Sequence, residues 1–375
     1  MLLKDKNVAI IGAGPVGLTL ATLLQQKGVQ VAVYERDKDP LTRIWGGTLD
    51  LHEHSGQKAL DMAGLLDRYF ARAIPMGRTI TDEQGNLLLA VQPHYDNPEI
   101  NRNDLRTLLL DNLTKDTVVW DRKFTGLEVQ NGKWLLHFEN NPDVTADLVI
   151  GANGGLSAVR KYVTDAEAEY TGTFIIQGEV PQPESTCLAF YQLCNDNILM
   201  TADNGMNIVA NPRNNGALTY NVTFRTPEGW DHSTALNFRD PGSITVFLLS
   251  RFSRWHEHYR QLFRATSFYT GLPTRRLPLS RPWKKDRPMP VTLVGDAAHI
   301  MPPFAGEGVN TGLMDALVLS ENLTNGKFSA VEAAICDYER KMIVYATKAQ
   351  LETSKNETAM HGRDFSFKTR FNGER

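Results

Sequence analysis

Only three cysteines occur in 375 residues, Cys187, Cys194 and Cys336, and no two form a Cys-x-x-Cys pair. So odd and scattered a set excludes a disulfide-stapled scaffold and a cysteine-built zinc site. A reducing, cytoplasmic setting suits it best. Charge of one sign is missing too: 40 basic residues against 43 acidic leave a net charge of −3. Nothing in that balance draws the chain to nucleic acid or to an anionic membrane. Long apolar runs are also lacking. The nearest is the uncharged stretch from Asn7 to Gln26, which Gly12, Gly14, Pro15 and Gly17 interrupt, while Asp5 sits where a signal peptide would be basic. Neither a targeting signal nor a membrane span is expected. There are no repeats and no low-complexity tracts. What remains is 42% apolar and long enough for a large core and two interleaved domains.

Two glycine-bearing strand–loop–helix signatures stand out. Near the start, Val8-Ala-Ile-Ile11 leads into Gly12-Ala-Gly14-Pro-Val-Gly17, followed by apolar residues at Leu18, Ala21 and Leu24. Gly12 permits a tight turn, Gly14 lets the backbone approach a pyrophosphate, and Gly17 lets the helix pack on the sheet. A second strand, Val29 to Tyr34, ends at Glu35, where an acidic side chain meets ribose hydroxyls in such units. A lone Gly-x-Gly-x-x-Gly is weak evidence. With the strand, the helix and Glu35 around it, the motif predicts a dinucleotide site.

The second signature lies far along the chain. A strand from Val291 to Val294 ends in Gly295-Asp296, a Pro/Gly-rich loop runs from Pro302 to Gly308, and a helix is expected from Val309 to Leu323. Asp296 can bind a sugar hydroxyl, and Gly306 and Gly308 let a flat ring approach the backbone. The helix start at Val309 and Asn310 offers free N–H groups to a developing anion. Two separated signatures imply FAD rather than NAD alone, the first for the ADP half and the second for ribityl and isoalloxazine. An NAD-linked dehydrogenase would leave Asp296 and its loop unexplained. No cysteine or histidine sits in a flavin-linking context, so the FAD is expected to be noncovalent.

The fold class is therefore α/β, with a Rossmann-like FAD-binding domain assembled from residues 1–75, 101–171 and 272–326. A β-sheet substrate domain is interleaved as 76–100 and 172–271, and a C-terminal helix and tail, 327–375, bridge the two. Alternation in Leu218-Thr-Tyr-Asn-Val-Thr-Phe224 predicts strands with one buried face, and Pro181, Pro183, Pro212 and Asn214-Asn-Gly216 mark turns. Ile244 to Phe263 reads as one helix, with Ile244, Phe247, Leu248, Phe252, Trp255, Tyr259 and Leu262 on its stripe. His256 and His258 within it would point to different faces and could not chelate together. His52 and His54 read as a solvated turn. Val331 to Glu352 is the expected bridging helix. No metal site, catalytic triad or paired acid and base is found.

The order Gly-x-Gly-x-x-Gly, then Ala146-Asp147 to Arg160, then Gly295-Asp296 resembles the aromatic-hydroxylase class of FAD monooxygenases, with Asn153 where an aspartate is usual. Within that class, Tyr34-Glu35-Arg36-Asp37, Gly46 to His52, Asp96 to Arg106 and Met301-Pro-Pro-Phe-Ala-Gly306 are similar to the tetracycline-inactivating monooxygenases of the TetX type. The likeness runs nearly end to end. It implies a monomer that uses NADPH and O2 as cosubstrates and hydroxylates tetracycline-type antibiotics through a flavin C4a-hydroperoxide, so conferring resistance. The flavin would carry the chemistry, and the catalytic set is empty. By resemblance, Arg36, Asp50 and Arg106 contact FAD, Arg106 neutralising phosphate bidentately. Arg43 meets NADPH. Gln177, Pro303, Gly306, Met360 and Phe367 line the substrate site, the last two closing its entrance. Ile198 and Thr219 stand where a substrate-binding arginine and histidine are expected. Ile198 has no donor and Thr219 is shorter than an imidazole, which implies weak tetracycline binding and favours a more apolar phenolic ligand. Glu307 replaces a glutamine, and a carboxylate there would compete with a flavin anion. The alternatives are a hydroxylase of another phenol or polyketide, or a flavoprotein that only sequesters a planar ligand.

Overall fold

The computed structural model describes residues 2–230 and 236–372; Met1, residues 231–235 of the second β insertion and residues 373–375 of the tail lie outside it. The first sheet is parallel and built from runs that are apolar on both faces: β1 (Asn7–Ile11), β2 (Gln30–Tyr34), β6 (Val118–Val119), β10 (Leu148–Gly151) and β16 (Val291–Leu293). Its spatial order is β16-β10-β1-β2-β6. Strands buried on both sides read as continuous Val/Ile/Leu runs, and Ile10, Val149, Ile150 and Leu293 are almost wholly buried. The chain reverses direction across the sheet between β1 and β10, and ligands of such sheets bind beyond the carboxyl ends at that point. Helix α1 (Pro15–Gln25) covers one face beside the 17-residue helix α6 (Gly308–Thr324).

The second sheet has eight strands in the order β15-β11-β14-β13-β12-β4-β5-β3. They are β3 (Leu49–Asp50), β4 (Ile74–Thr81), β5 (Leu87–Ile100), β11 (Glu169–Pro181), β12 (Ile198–Asp203), β13 (Met206–Asn214), β14 (Ala217–Arg225) and β15 (Phe268–Arg276). A small antiparallel sheet, β7 (Phe124–Gln130), β8 (Lys133–Phe138) and β9 (Asn141–Ala146), completes the set. The β13–β14 hairpin turns on Asn215 and Gly216, both at positive φ (53° and 80°), as a primed two-residue turn requires. Strands β11 and β15 run past residues 171 and 272.

Helix α3 (Leu188–Cys194) and one face of the eight-stranded sheet, with Ile176, Leu199, Ile208, Leu218 and Val222, share a core with helices α4 (Pro241–Arg251) and α5 (Glu257–Ala265). These two correct the single helix expected from 244 to 263. The predicted stripe is buried except at Phe247, which is only partly so, but the helix stops at Phe252. It restarts at His256, which caps α5 by accepting the His258 N–H on Nδ1 (3.3 Å). The imidazoles touch, with centroids 4.2 Å apart, so the expectation of divergent faces fails with the helix that carried it. The one-buried-face pattern also needs correction. Thr219 and Thr223 are as enclosed as Leu218 and Val222, because the opposite face is covered as well.

Over Thr219 the cover is the Gly47 segment, and over Thr223 it is His361 (2.8 Å) at the end of α7 (Val331–Met360), a helix eight residues longer than expected. Its second half has no apolar stripe; polar groups fix it. Gln350 donates to the Leu277 carbonyl (2.9 Å), Asn356 to that of Phe304 (3.0 Å), and Glu357 accepts from the Thr171 hydroxyl (2.6 Å). Periodicity cannot see such a seam. Helix α8 (Phe367–Asn372) then packs on β4, β5 and β12. Among the described residues, no helix is long and apolar enough to cross a membrane.

Candidate functional site

The N-terminal turn is set by three glycines with different constraints. Gly12, at φ 111°, would bring a Cβ to 2.6 Å from the Ala152 carbonyl oxygen, where β1 meets the end of β10. A Cβ on Gly17 would lie 2.2 Å from the Gly12 oxygen, whereas one on Gly14 would meet nothing within 4 Å. Gly14 therefore faces open space. It is also the N-cap of α1 and supplies no side-chain cap, so first-turn N–H groups face the same space with the positive end of the dipole. Glu35 is 9% exposed and accepts the Ala13 N–H at 2.6 Å and the Asp37 N–H at 3.0 Å. Each carboxylate oxygen keeps acceptor capacity for a hydroxyl. Arg36 is exposed beside it.

Helix α2 (Arg102–Leu110) begins at Asn101, whose side chain accepts the Asn103 and Asp104 N–H groups. Arg106 on this helix is buried, donating to Asp37 (2.9 Å) and the Thr42 carbonyl (3.1 Å) with its guanidinium over Trp120. Both ends of the fork expected to hold a phosphate thus bind the protein's own 37–42 segment. One turn earlier, Arg102 donates Nε to the Gly47 carbonyl (2.9 Å), and its charge reaches Asp296. Sequence reasoning missed Arg102. The signal was its spacing, since residues four apart share a helix face.

The second signature closes on a rigid turn. Gly295 has φ 62° and ψ −145°, a region open essentially to glycine alone. Its N–H donates to Asp315 (2.7 Å), which also accepts from Tyr345 (2.6 Å) and pairs with His299 (2.7 Å). Asp315 and His299 are wholly buried. Arg160 ties down the next residues, donating Nε to the Ala297 carbonyl (2.9 Å) and Nη2 to that of Asp296 (3.1 Å). The Asp296 side chain itself is exposed. It is accessible yet walled by protein, and burial raises its pKa against the pull of His299, Arg102 and Arg160.

Opposite it lies the Gly306 loop. A Cβ on Gly306 would stand 3.8 Å from an Asp50 oxygen, and one on Gly308 would stand 4.0 Å from an Asp296 oxygen. The first turn of α6, Gly308 to Asn310, has no side-chain cap and no acidic residue. Asn310 is fully buried: Oδ1 accepts the His52 N–H (2.8 Å), and Nδ2 donates to the Asp50 and Gly306 carbonyls. Only the backbone of Asn310 is left for a ligand. His52, read from sequence as part of a solvated turn, is instead half-buried between Asp50 (3.6 Å) and Glu307 (3.7 Å). The neighbouring Asp50 carboxylate outweighs burial and raises its pKa. Among the described residues, no cluster of three His, Cys, Asp or Glu side chains could hold a metal ion.

The face of the eight-stranded sheet that turns away from α4 and α5 brings Gln177, Ile198 and Thr219 together. Register aligns Gln177 with Asn221 and Val209, and Glu179 with Thr219 and Asn211. Gln177 donates to Asn221 (3.1 Å), and Thr219 accepts from Asn214 (3.1 Å). Ile198 is paired with Arg78 of β4. Arg43 makes a two-pronged bond to Glu179 (2.8 and 2.6 Å) and lies over Trp45, which stacks on Phe268. Phe367 packs beside Ile80 and Ala202 at the far end of this face. The Met360 carbonyl accepts from Asn207 (3.0 Å), and Pro303 is exposed in the glycine loop.

The architecture matches known proteins along its whole length. The family model described as FAD binding domain matches residues 5–215 and 273–350. A 3-amino-4-hydroxybenzoate 2-monooxygenase of Streptomyces cremeus is 29% identical, over 90% of this chain and 84% of its own. The 2,6-dihydroxypyridine-3-hydroxylase of Arthrobacter nicotinovorans has TM-score 0.80 at 20% identity, covering 96% of this chain and 94% of that one. The tetracycline destructase Tet(55) has TM-score 0.78 at 22% identity, covering 100% and 95%. These two structural likenesses bear on the fold alone.

Proposed function

Because the chain belongs to the FAD-binding family of aromatic-hydroxylase flavoprotein monooxygenases, we propose that it uses NADPH and O2 to hydroxylate a planar enol or phenol, tetracyclines among them. On this reading it works as a cytoplasmic monomer and contributes to antibiotic resistance. The observation that carries the proposal is the glycine rim, with the exposed Asp296 carboxylate beside Gly308 and Asp50 beside Gly306, together with the polar sheet face on which Gln177 and Asn221 are paired.

FAD, when bound, supplies electron transfer and oxygen activation; the side chains supply position. Glu35 takes the ribose hydroxyls, the Gly14 turn and the start of α1 take the pyrophosphate, and Asp296 with Arg102 takes the ribityl chain. The free N–H groups at Gly308 and Val309 stabilise negative charge on the ring. Asp50 and His52 hold the loop that carries them. Gln177 orients the polar edge of the substrate, and Met360 and Phe367 limit water at its far end. Ile198 and Thr219 offer little to tetracycline's polar edge, and the curated relative acts on a small aminophenol acid; both favour a second reading, a hydroxylase of another phenol or polyketide.

The deciding experiment follows NADPH oxidation by purified protein with and without tetracycline, with mass analysis of the product. A substrate-dependent rate and a gain of one oxygen are expected. Tight tetracycline binding with neither would mean sequestration. Arg43→Ala is expected to raise the KM for NADPH and leave FAD content intact; an unchanged KM would make Arg43 a partner of Glu179 only. Asp296→Ala removes a charge-assisted hydrogen bond worth roughly 1.5–3 kcal/mol, so FAD should bind about ten- to a hundred-fold more weakly. Equilibrium dialysis showing wild-type FAD affinity would rule that role out. His256→Ala, at the α5 cap, is the control that keeps its flavin.

A further inference from the structure

We propose that Arg78 is the substrate-anion anchor of this site, gripping an ionised enol, phenol or carboxylate oxygen of a planar ligand laid on the sheet face. The inference rests on the hydroxylase reading above and names the chemistry that its pocket selects.

Arg78 and Ile198 are Cα partners on parallel strands, as are Ile80 and Met200. Partners in register project to the same side of a sheet, so a guanidinium stands immediately beside the donorless Ile198. Ile198 gives an apolar floor beside Arg78, while Ile80 and Met200 further along pack with Phe367.

The guanidinium is held loosely. Its contacts are long: 3.5 Å to Glu99 and 3.2–3.4 Å to the carbonyls of Gly77 and Met76. A well-made bond of this type is nearer 2.9 Å. By contrast, Arg43 and Arg106 are clamped at 2.6–2.9 Å by carboxylates. Arg78 also keeps 34% of its side chain accessible, while Glu99 behind it keeps only 8%. The second oxygen of Glu99 is taken by Thr48 (2.7 Å), which Asn211 holds in turn (2.8 Å). Glu99 therefore orients the guanidinium without using up its five donors.

The position is also right. Asp50 is the register partner of Glu99, and its carboxylate flanks Gly306 and feels the charge of Arg78. An oxyanion on Arg78 would hold the adjoining ring over the apolar floor, beside the glycine loop. Ile198→Arg would set two guanidinium groups side by side, so adding an arginine at 198 works against the anchor already present.

The test compares a charged and a neutral probe of one shape. Binding of 4-hydroxybenzoate, 4-hydroxybenzamide and tetracycline to the FAD-loaded enzyme is read from the flavin absorption spectrum. In the unmodified enzyme the carboxylate should bind at least tenfold more tightly than the amide. Arg78→Met should erase that ratio and weaken tetracycline at least tenfold, and Arg78→Lys should restore part of both. If Arg78→Met loses its flavin, Arg78→Gln, which keeps a neutral donor, is read the same way. An Arg78-dependent benzoate with no tetracycline binding keeps the anchor and removes tetracycline as substrate. Tetracycline binding that ignores Arg78, a carboxylate-to-amide ratio unchanged in the variants, or no binding of any probe overturns the anchor.

Discussion

Gly17→Ala is expected to give a protein without flavin. The new methyl group would lie 2.2 Å from the Gly12 carbonyl oxygen and 3.1 Å from the Ala152 side chain. A carbon and a backbone oxygen cannot share that space, so the start of α1 must lift away from the turn. Overpacking of this kind costs about 1–3 kcal/mol, and more where backbone cannot yield. Here the displaced atoms are the N–H groups facing the phosphate space. Gly14→Ala separates the two effects, since its methyl group meets nothing within 4 Å. That variant should keep the stability of the flavin-free wild type and still bind FAD poorly, the methyl occupying the space through which the pyrophosphate approaches. Flavin released on denaturation and melting of the flavin-free proteins check both. Full FAD loading in Gly17→Ala would contradict the assignment of this turn.

Asp315→Asn should cause the largest loss of stability, roughly 3–5 kcal/mol, as expected when one partner of a buried ion pair is removed. Asp315 serves Gly295, His299 and Tyr345 together, so the Asp296 turn should loosen and FAD affinity should fall with it. The pH dependence gives a second check. Burial alone would lower the pKa of His299, but Asp315 outweighs it and the net shift is upward. A histidine raised in the folded state contributes stability that is complete below its unfolded value, about 6.5, and is lost as pH rises through the folded value. The gap between wild type and Asp315→Asn should thus be widest near pH 6 and narrow at alkaline pH. Denaturant unfolding of the two proteins at about pH 6 and 9 measures it. A gap independent of pH would mean that His299 is neutral throughout.

Local patterns in this chain were legible where neighbouring residues decide the outcome. Gly12 and Gly17 carry separable steric constraints, a tight turn and close packing, and spacing alone predicted both. The Gly295-Asp296 turn and the helix behind its loop were visible for the same reason. What stayed hidden depends on partners distant in sequence. Arg102 and Arg106 share a helix face, and only the position of Asp37 decides which one is engaged in the 37–42 segment. His52 looked like a solvated turn because Glu307 meets it only in the folded chain. The break at Phe252 interrupts a continuous apolar stripe, and the cap that restarts the helix is a histidine, outside the preferred capping set. Arg78 escaped notice because parallel pairing of β4 with β12 is a choice of topology, and no periodicity records it.

The polar seam along the second half of α7 limits how this sequence can drift. An apolar seam accepts exchanges among leucine, isoleucine and methionine for less than about 1.5 kcal/mol each, so neighbours can change one at a time. At Gln350, Asn356 and Glu357 every contact joins a donor to an acceptor, and a single replacement strands a buried group at about 1–3 kcal/mol. Change there has to come in matched pairs, Glu357 with Thr171 for example. The second half of α7 is therefore slow to vary, since each of these contacts ties it to a partner distant in sequence.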